Sequence, residues 1–437
     1  MMHERFRYRN GDELTGKARE LGYSLPFSDD MEPLFSQCRI GDFTTGNRFV
    51  VQPMEGYDSE NDGSPSALTK RRYLRYASGG SGTIWFEAVS VVREGRSNPH
   101  QLWIHSRNRD EYARLNDEIR RIAGLSGTDP LIIVQLTHSG RYSKPEGIPK
   151  PLTAFHNPLL DTAVDQVLTD DDLKRLADRF VEAAKLSYRA GFNAADLKAC
   201  HGYLLIELLA AKARKDSVFG GEDISARFRY YLELYDRIRD EVPGLILTTR
   251  LGISDLYKGG FGVDEEGIPD FSEPLMLVRE LVGRGMKLLN VTMGSPYYNP
   301  HVNRPYDNPV PGQKKPDEHP LEGVMRMLEG TRLFQKSFPG TVIAGSAYSW
   351  LRHFAPNVGS AVIRDVGAAL IGFGRNSFAY PSMPAEIKVT GSADPRKTCI
   401  TCSGCTRLIK GLRPGGCVIH DREIYGEELK KLIESGK

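Results

Sequence analysis

Four of the six cysteines lie close together near the end of the chain. Cys399, Cys402, Cys405 and Cys417 follow the spacing C-x2-C-x2-C-x11-C. Thiolates grouped in this way hold iron–sulfur clusters or structural zinc. Zinc sites usually combine two separate cysteine pairs, whereas here three cysteines are consecutive at two-residue gaps. The spacing therefore favours an iron–sulfur cluster, with zinc left open as the alternative.

A second set of residues has the chemistry of a site for a phosphate and a flat ring. Two short segments, Gly345-Ser346 and Gly374-Arg375, follow apolar runs. Glycines let backbone N–H groups approach an anion, and an arginine can bind a phosphate through two hydrogen bonds. Gln135 and Arg250 follow two further apolar runs, where both could hydrogen-bond a heteroaromatic ring.

The elements that must position these residues alternate between short apolar runs and longer segments of helical periodicity. Such alternation predicts a parallel sheet covered by helices. Eight strands favour a closed (β/α)8 TIM barrel over an open Rossmann sheet, and place the chemistry at the carboxyl ends of the strands. The predicted strands are 48–53, 83–88, 131–136, 194–198, 245–250, 287–291, 341–344 and 369–372.

Helices are predicted between these strands. Thr169 precedes three aspartates and is a good N-terminal cap for a helix that ends at Gly191. Further helices are predicted at 225–241, 274–284, 321–338 and 357–367. We expect three parts: an N-terminal extension (1–31), the barrel (32–390) and a tail that carries the clustered cysteines (391–437).

The composition is that of a soluble globular protein. Of 437 residues, 40% are hydrophobic and 26% are charged, with a net charge of +2. We expect no nucleic acid and no membrane as a partner, because opposite charges are interspersed and no apolar run approaches about eighteen residues. The polar N-terminus lacks a signal segment, and the cysteines do not suggest disulfides, so the sequence predicts a cytoplasmic protein. Cys38 and Cys200 stand alone and are expected to be small buried side chains.

Several motifs at the strand ends resemble the old yellow enzyme, or NADH:flavin oxidoreductase, family. They are GNRFVVQPM (46–54), QLTHSGR (135–141), AGF (190–192), KACHGYLL (198–205) and GFGR (372–375). Their order and spacing carry the resemblance, which spans residues 32–390. The cysteine series extends it to the iron–sulfur branch that includes 2,4-dienoyl-CoA reductase and trimethylamine dehydrogenase. The resemblance implies an FMN-dependent oxidoreductase that uses NAD(P)H and holds a [4Fe–4S] cluster on the four cysteines.

The resemblance also implies which residues bind FMN. Gln135 would hydrogen-bond the pyrimidine edge of the ring. Arg250 would place positive charge near the ring atoms that become anionic on reduction. The implied cofactor-binding residues are Pro53, Met54, Ala88, Gln135, Arg250, Gly345, Ser346, Gly374 and Arg375.

For the substrate, the resemblance implies roles for Lys198, His201 and Tyr203. In the ene-reducing members, side chains at the first two positions bind the carbonyl that activates a carbon–carbon double bond. The tyrosine protonates the α carbon while flavin N5 delivers hydride to the β carbon. This chemistry needs a donor aimed at the enolate oxygen and a general acid near the carbon. His301, in a predicted long loop at 296–320, could also reach the substrate.

Three features depart from the family pattern. Lys198 replaces a histidine of many relatives, which brings a point charge to the carbonyl site. Glu55 stands where trimethylamine dehydrogenase has its flavin-linked cysteine, so covalent FMN at that position is excluded. The chain ends soon after Cys417, whereas fused members continue into nucleotide-binding domains. We therefore expect either a separate electron-transfer protein or reductase, or direct reduction by NAD(P)H.

The sequence leaves two other functions open. The first is an amine dehydrogenase or demethylase that passes electrons through FMN and the cluster to an external acceptor. The second is a non-catalytic electron-transfer subunit that joins flavin and cluster. A homo-oligomer is compatible with the sequence in each case. Ene-reduction of a small-molecule substrate, with Tyr203 as proton donor, is the function the motifs favour.

Overall fold

Eight parallel strands close into a barrel in the computed structural model, which describes residues 3–161 and 165–436. The strands follow one another around the barrel in chain order, and Ile371 of the last strand lies opposite Phe49 of the first. The (β/α)8 prediction is therefore confirmed, with strand ends shifted by at most two residues. The barrel strands are Phe49–Val51, Thr83–Ser90, Leu131–Thr137, Ala194–Leu197, Ile246–Gly252, Leu288–Thr292, Val342–Gly345 and Leu370–Phe373.

The interior of the barrel changes character along its axis. At the amino end the strands contribute apolar side chains such as Val50, Ile133 and Leu288, which pack into one buried cluster. At the carboxyl end the buried side chains include Gln52, Gln135 and other polar groups. Burying these groups is unfavourable unless they are hydrogen-bonded, so this end must contain an ordered polar network.

Helices cover the outside of the barrel. Thr169 caps its helix as predicted, because its side chain accepts from the Asp172 N–H while the Asp172 carboxylate accepts from the Thr169 N–H. The other predicted helices are present with ends shifted by at most three residues. The α-helices are Gly11–Glu20, Glu32–Phe35, Ala67–Ser78, Arg109–Leu125, Asp170–Arg189, Leu204–Leu209, Ile224–Glu241, Ser272–Gly283, Pro300–Asn303, Pro320–Ser337, Ala355–Arg364, Arg375–Ala379, Met383–Thr390, Gly404–Lys410 and Glu427–Glu434.

Short elements complete the chain. They are the strand pairs Cys38–Ile40 with Phe43–Thr45 and Leu152–Thr153 with Gln166–Val167, the 3-10 turns Arg93–Gly95, Gly140–Tyr142 and Tyr348–Phe354, and the π-helical turn Arg422–Gly426. None of the helices between residues 3 and 161 or 165 and 436 is long and apolar enough to cross a membrane.

The N-terminal segment, residues 3–40, packs against the barrel at two places. Cys38 and Ile40 join the apolar cluster inside the barrel floor, so Cys38 is buried as expected. Phe6 packs edge-on against Trp350, with ring centroids 5.3 Å apart. The segment therefore belongs to the same packed body as the barrel.

The cysteine-bearing tail is fixed at the opposite, carboxyl end. The buried carboxylate of Asp421 accepts from both Arg71 and Arg75 on helix Ala67–Ser78, with Arg71 Nη1 at 2.7 Å. The Gly415 N–H donates to the carbonyl oxygen of Gly56 at 2.6 Å. These bonds place the tail beside the loop that follows the first strand.

Replacing Asp421 tests this attachment. Asp421→Asn removes the charge that holds Arg71 and Arg75. The side chains of these two arginines are 39% and 32% exposed. We expect a local loss of about 1–2 kcal/mol, smaller than for a fully buried pair because of solvent screening. Limited proteolysis should cleave the tail faster while the barrel melts at a nearly unchanged temperature. Asp240→Asn, at an exposed ion pair, is the control, and equal cleavage of both variants would contradict the attachment.

Candidate active site and cysteine cavity

A cavity of about 200 Å³ opens at the carboxyl ends of the barrel strands. Its lining includes the three predicted substrate residues, Lys198, His201 and Tyr203. It also includes seven of the predicted cofactor-binding residues: Pro53, Met54, Gln135, Arg250, Ser346, Gly374 and Arg375. Ala88 and Gly345 lie outside the lining; the carbonyl oxygen of Ala88 accepts from Gln101, and that of Gly345 accepts from Gln52.

The buried carboxylate of Asp196 orders the polar floor of this cavity. It accepts from Gln135 Nε2 at 2.6 Å, from Trp85 Nε1 at 2.8 Å and from the Arg250 backbone N–H at 2.6 Å. Burial raises the pKa of Asp196 to about 6, against the effect of these three donors. Because Gln135 donates through its amide nitrogen, its amide oxygen is left as an acceptor for a ligand N–H.

Another buried pair joins the first and sixth strands. Gln52 and Asn290 exchange hydrogen bonds, with Asn290 Nδ2 2.7 Å from Gln52 Oε1 and Gln52 Nε2 3.2 Å from Asn290 Oδ1. The arrangement fixes the start of the loop that carries Pro53 and Met54.

Gly374 and Arg375 follow the end of the eighth strand and line the cavity. Arg375 Nη2 donates to the carbonyl oxygen of Pro305 at 2.6 Å, while its buried Nη1 has no hydrogen-bond partner among the described residues. A Cβ on Gly374 would lie 3.0 Å from Met54 Sδ, so glycine keeps this approach open. Burial and the charge of Arg375 lower the pKa of Arg304 to about 10. A phosphate would neutralise both guanidinium groups.

Lys198 lies between Glu55, which follows the first strand, and Tyr203, which follows the fourth strand as Lys198 does. Its Nζ is 3.4 Å from Glu55 Oε1 and 3.9 Å from the centre of the Tyr203 ring, and only 4% of its side chain is exposed. Burial raises the pKa of Glu55 to about 7, although the nearby Lys198 ammonium lowers it. The Glu55 carboxyl group and the face of the Tyr203 ring thus hold the Lys198 side chain inside the cavity.

The Tyr203 hydroxyl belongs to a chain of hydroxyl groups. It lies 3.0 Å from the Tyr297 hydroxyl and donates to Ser97 Oγ at 3.3 Å, and Ser97 Oγ lies 2.7 Å from the Tyr57 hydroxyl. Tyr297 in turn stacks on Tyr142, with ring centroids 3.6 Å apart. Burial raises the pKa of Tyr203 to about 12, so this tyrosine carries its proton at neutral pH.

His201 is held in an uncommon backbone conformation and in its neutral form. Its φ is +65°, a left-handed value that costs a non-glycine residue free energy. Asn303 Nδ2 donates to His201 Nε2 at 2.8 Å, which assigns the ring proton to Nδ1. Burial lowers the pKa of His201 well below its usual value, and the charges of Arg250 and Lys198 add to this. His201 can therefore act as a neutral donor.

His301 is separate from this group. Its Nε2 lies 3.8 Å from Glu318 Oε1, and the residue is not part of the cavity lining. Other parts of the loop 296–320 do line it, namely Pro296, Tyr297, Asn303 and Arg304.

A buried ion network supports the loop after the first strand. Arg72 donates to Asp58 and to Glu87, and all three side chains are at most 5% exposed. Glu87 Oε2 also accepts the backbone N–H of Gly56 at 2.6 Å. A side chain at Gly56 would collide with the Arg72 guanidinium, so only glycine fits there. The network fixes the position of Glu55 relative to the barrel.

A second, much smaller cavity adjoins the first and is lined by all four clustered cysteines. Backbone N–H groups already point at two of the sulfurs, with Thr401 N 3.4 Å from Cys399 Sγ and His420 N 3.3 Å from Cys417 Sγ. Burial raises the pKa of Cys399 to about 12 and that of Cys417 to about 11, so thiolates here require a bound cation. Cys405 and Arg375 line both cavities.

Within 3–161 and 165–436, no three His, Cys, Asp or Glu side chains converge closely enough to hold one metal ion.

Several site residues were missed from the sequence. Ser97, Tyr57 and Asn303 give no local signal, because their partners are far away in the chain. The tail helix also lines the main cavity through Thr406, Ile409 and Lys410. Their three- and four-residue spacing on a helix was the one signal that could have revealed a shared face.

Comparison with known proteins identifies the family to which the chain belongs. A model of the NADH:flavin oxidoreductase / NADH oxidase family matches residues 33–302. NADPH dehydrogenase of Bacillus subtilis (strain 168) is 27% identical over 265 residues, covering 60% of this chain and 73% of the relative. NADPH dehydrogenase of Geobacillus thermodenitrificans (strain NG80-2) is 28% identical over 265 residues, again covering 60% of this chain and 73% of the relative.

Solved structures share the fold. A 2-naphthoyl-CoA reductase in complex with 2-naphthoyl-CoA superimposes with a TM-score of 0.72 at 19% identity, covering 92% of this chain and 58% of that chain. Histamine dehydrogenase from Rhizobium sp. 4-9 superimposes with a TM-score of 0.66 at 20% identity, covering 90% of this chain and 53% of that chain. This chain thus spans less than two thirds of either. The match to the family model, over a barrel with this polar cavity, shows that the chain belongs to the NADH:flavin oxidoreductase / NADH oxidase family of flavin-dependent oxidoreductases.

Proposed function

We propose that the protein reduces an activated carbon–carbon double bond of a small molecule, using FMN, a [4Fe–4S] cluster and NAD(P)H. The observation that carries this proposal is the protonated Tyr203 hydroxyl, which shares one cavity with two donors, Lys198 and His201. A general acid beside carbonyl-binding donors is what reduction of an enone or related alkene requires. The NADPH dehydrogenases among the relatives support NADPH as the reductant.

The cavity residues fit FMN. The amide oxygen of Gln135 suits the pyrimidine N–H, and the buried Arg250 Nε, which has no partner among the described residues, suits a ring acceptor. Arg375 Nη1 has the same unused capacity at the phosphate end. When bound, FMN supplies hydride chemistry, and a [4Fe–4S] cluster supplies one-electron transfer.

The chain's own residues account for binding and protonation. Lys198 and the Nδ1–H of His201 would bind the substrate carbonyl and stabilise negative charge as it develops on that oxygen. Tyr203 would give its proton to the α carbon. Its oxygen would then accept from the Tyr297 hydroxyl, 3.0 Å away, until solvent restores the proton. One hydride and one proton are added, so the alkene gains two hydrogen atoms.

Amine oxidation is less well supported. A cationic substrate would need the aromatic faces of the cavity, yet Lys198 already lies 3.9 Å from the Tyr203 ring. A second ammonium group there would be repelled by the first.

For the tail, we infer that Cys399, Cys402, Cys405 and Cys417 hold the [4Fe–4S] cluster. The shared lining residues Cys405 and Arg375 support close contact with the flavin site. Ile419, which lines the cysteine cavity, is 45% exposed, so this cavity lies near the surface. Exposure there supports exchange of electrons with a separate protein.

The Tyr203→Phe variant tests the proton donor. It removes the hydroxyl but keeps the ring beneath Lys198, so we expect reduction of 2-cyclohexenone to slow about 100-fold or more. The rate at which NADPH bleaches the flavin, measured by stopped-flow absorbance, should change less than about twofold. Tyr230→Phe, a buried tyrosine outside the cavity, is the control. Equal turnover of Tyr203→Phe and the wild type would exclude Tyr203 as the acid.

The cluster is tested by removing one ligand at a time. Cys402→Ser and Cys417→Ser should each lose most of the iron and sulfide measured after anaerobic purification. Cys38→Ser, a buried cysteine at the other end of the barrel, should retain both. A wild-type protein that contains one zinc and no sulfide would refute the cluster.

A further inference from the structure

Glu55 has a hydrogen-bonding capacity that the proposed reaction does not use. The residue lines the main cavity, and its Oε1 pairs with Lys198 Nζ at 3.4 Å. Its other oxygen, Oε2, is buried and has no hydrogen-bond partner in the described part of the chain. An unpaired carboxylate oxygen is costly to bury, so a bound molecule that supplies a donor would be favoured there.

Glu55 and Lys198 together present an acceptor beside a donor. They come from the loops after the first and fourth strands, and each is held in place by a different contact. Lys198 rests on the Tyr203 ring at 3.9 Å. The Glu55 backbone is fixed by its neighbour Gly56, whose N–H donates to Glu87 Oε2 and whose carbonyl oxygen accepts from the Gly415 N–H. The complementary ligand carries a carbonyl oxygen next to an N–H or O–H group.

We propose that the preferred substrates are unsaturated amides, lactams or imides, in which the activating carbonyl bears an adjacent N–H that donates to Glu55 while Lys198 binds the carbonyl oxygen. This proposal rests on the proposed ene-reduction and assigns its substrate class. Glu55 acts as a specificity residue. The reaction itself is unchanged: NAD(P)H supplies the hydride equivalent, Tyr203 supplies the proton, and the C=C bond becomes C–C.

The protonation state of Glu55 provides an independent readout. Burial raises its pKa to about 7; Glu87 raises it further, and Lys198 and Arg72 lower it. The hydroxyls of Tyr57 and Tyr203 also face it and are neutral at this pH. Above about pH 7 the carboxylate is a strong hydrogen-bond acceptor, whereas below it the protonated carboxyl group accepts more weakly and can itself donate. Selectivity for an N–H substrate should therefore rise between pH 6 and pH 8.

A matched pair of imides tests the proposal. 2-Methylmaleimide and N,2-dimethylmaleimide have the same alkene and carbonyl groups and differ only in the N–H. For the wild type with NADPH we expect kcat/KM to favour the N–H imide by about tenfold or more at pH 8. In the isosteric Glu55→Gln variant the preference should fall to about twofold or less, because an amide N–H replaces the free acceptor. Glu60→Gln, an exposed residue of the same loop, should keep the wild-type ratio.

The outcomes separate the two proposals. If the wild type reduces neither imide nor 2-cyclohexenone, the ene-reductase function fails. If both imides are reduced equally, or if Glu55→Gln slows both by one common factor, the substrate class is wrong and Glu55 acts on the flavin or on stability. A preference that survives unchanged in Glu55→Gln would mean that the N-methyl group is excluded by shape alone. Flavin content and melting temperature of each variant confirm that it is folded.

Discussion

The buried guanidinium of Arg72 is the interaction on which the site depends. It holds Asp58 and Glu87 on two different elements, and Glu87 in turn holds the backbone of Gly56. A buried charge of this kind is costly unless it is paired, so its two carboxylate partners restrict the loop around it. That loop carries Pro53, Met54 and Glu55 into the cavity. One ion network therefore positions the loop that lines this part of the cavity.

The same loop connects the barrel to the cysteine tail. The Gly415 N–H donates to the carbonyl oxygen of Gly56, and Asp421 ties the tail to helix Ala67–Ser78, which also carries Arg72. The tail helix then contributes to the cavity wall through Ile409 and Lys410. The cysteine region is thus part of the active-site wall, which brings the two cavities into contact at Cys405 and Arg375.

The sequence was sufficient for the barrel and for much of the site. Apolar runs such as 131–136 are buried on both faces of a parallel strand and are readable without tertiary information. Strand order then places Gln135, Lys198 and Arg250 at one end. The hydroxyl chain from Tyr203 to Ser97 and Tyr297 could not be predicted, because these residues are separated by 106 and 94 positions. The pairing of Lys198 with Glu55 could not be predicted either, because these residues are 143 positions apart.

The most direct test of the central claim is a single turnover of the reduced enzyme in D₂O. The flavin is first reduced without oxygen, and 2-cyclohexenone is then added while flavin absorbance is recorded. We expect that the flavin band returns and that the saturated product carries solvent deuterium on the α carbon, delivered through Tyr203. A flavin that stays reduced with every activated alkene, while an amine bleaches the oxidised enzyme, would contradict it.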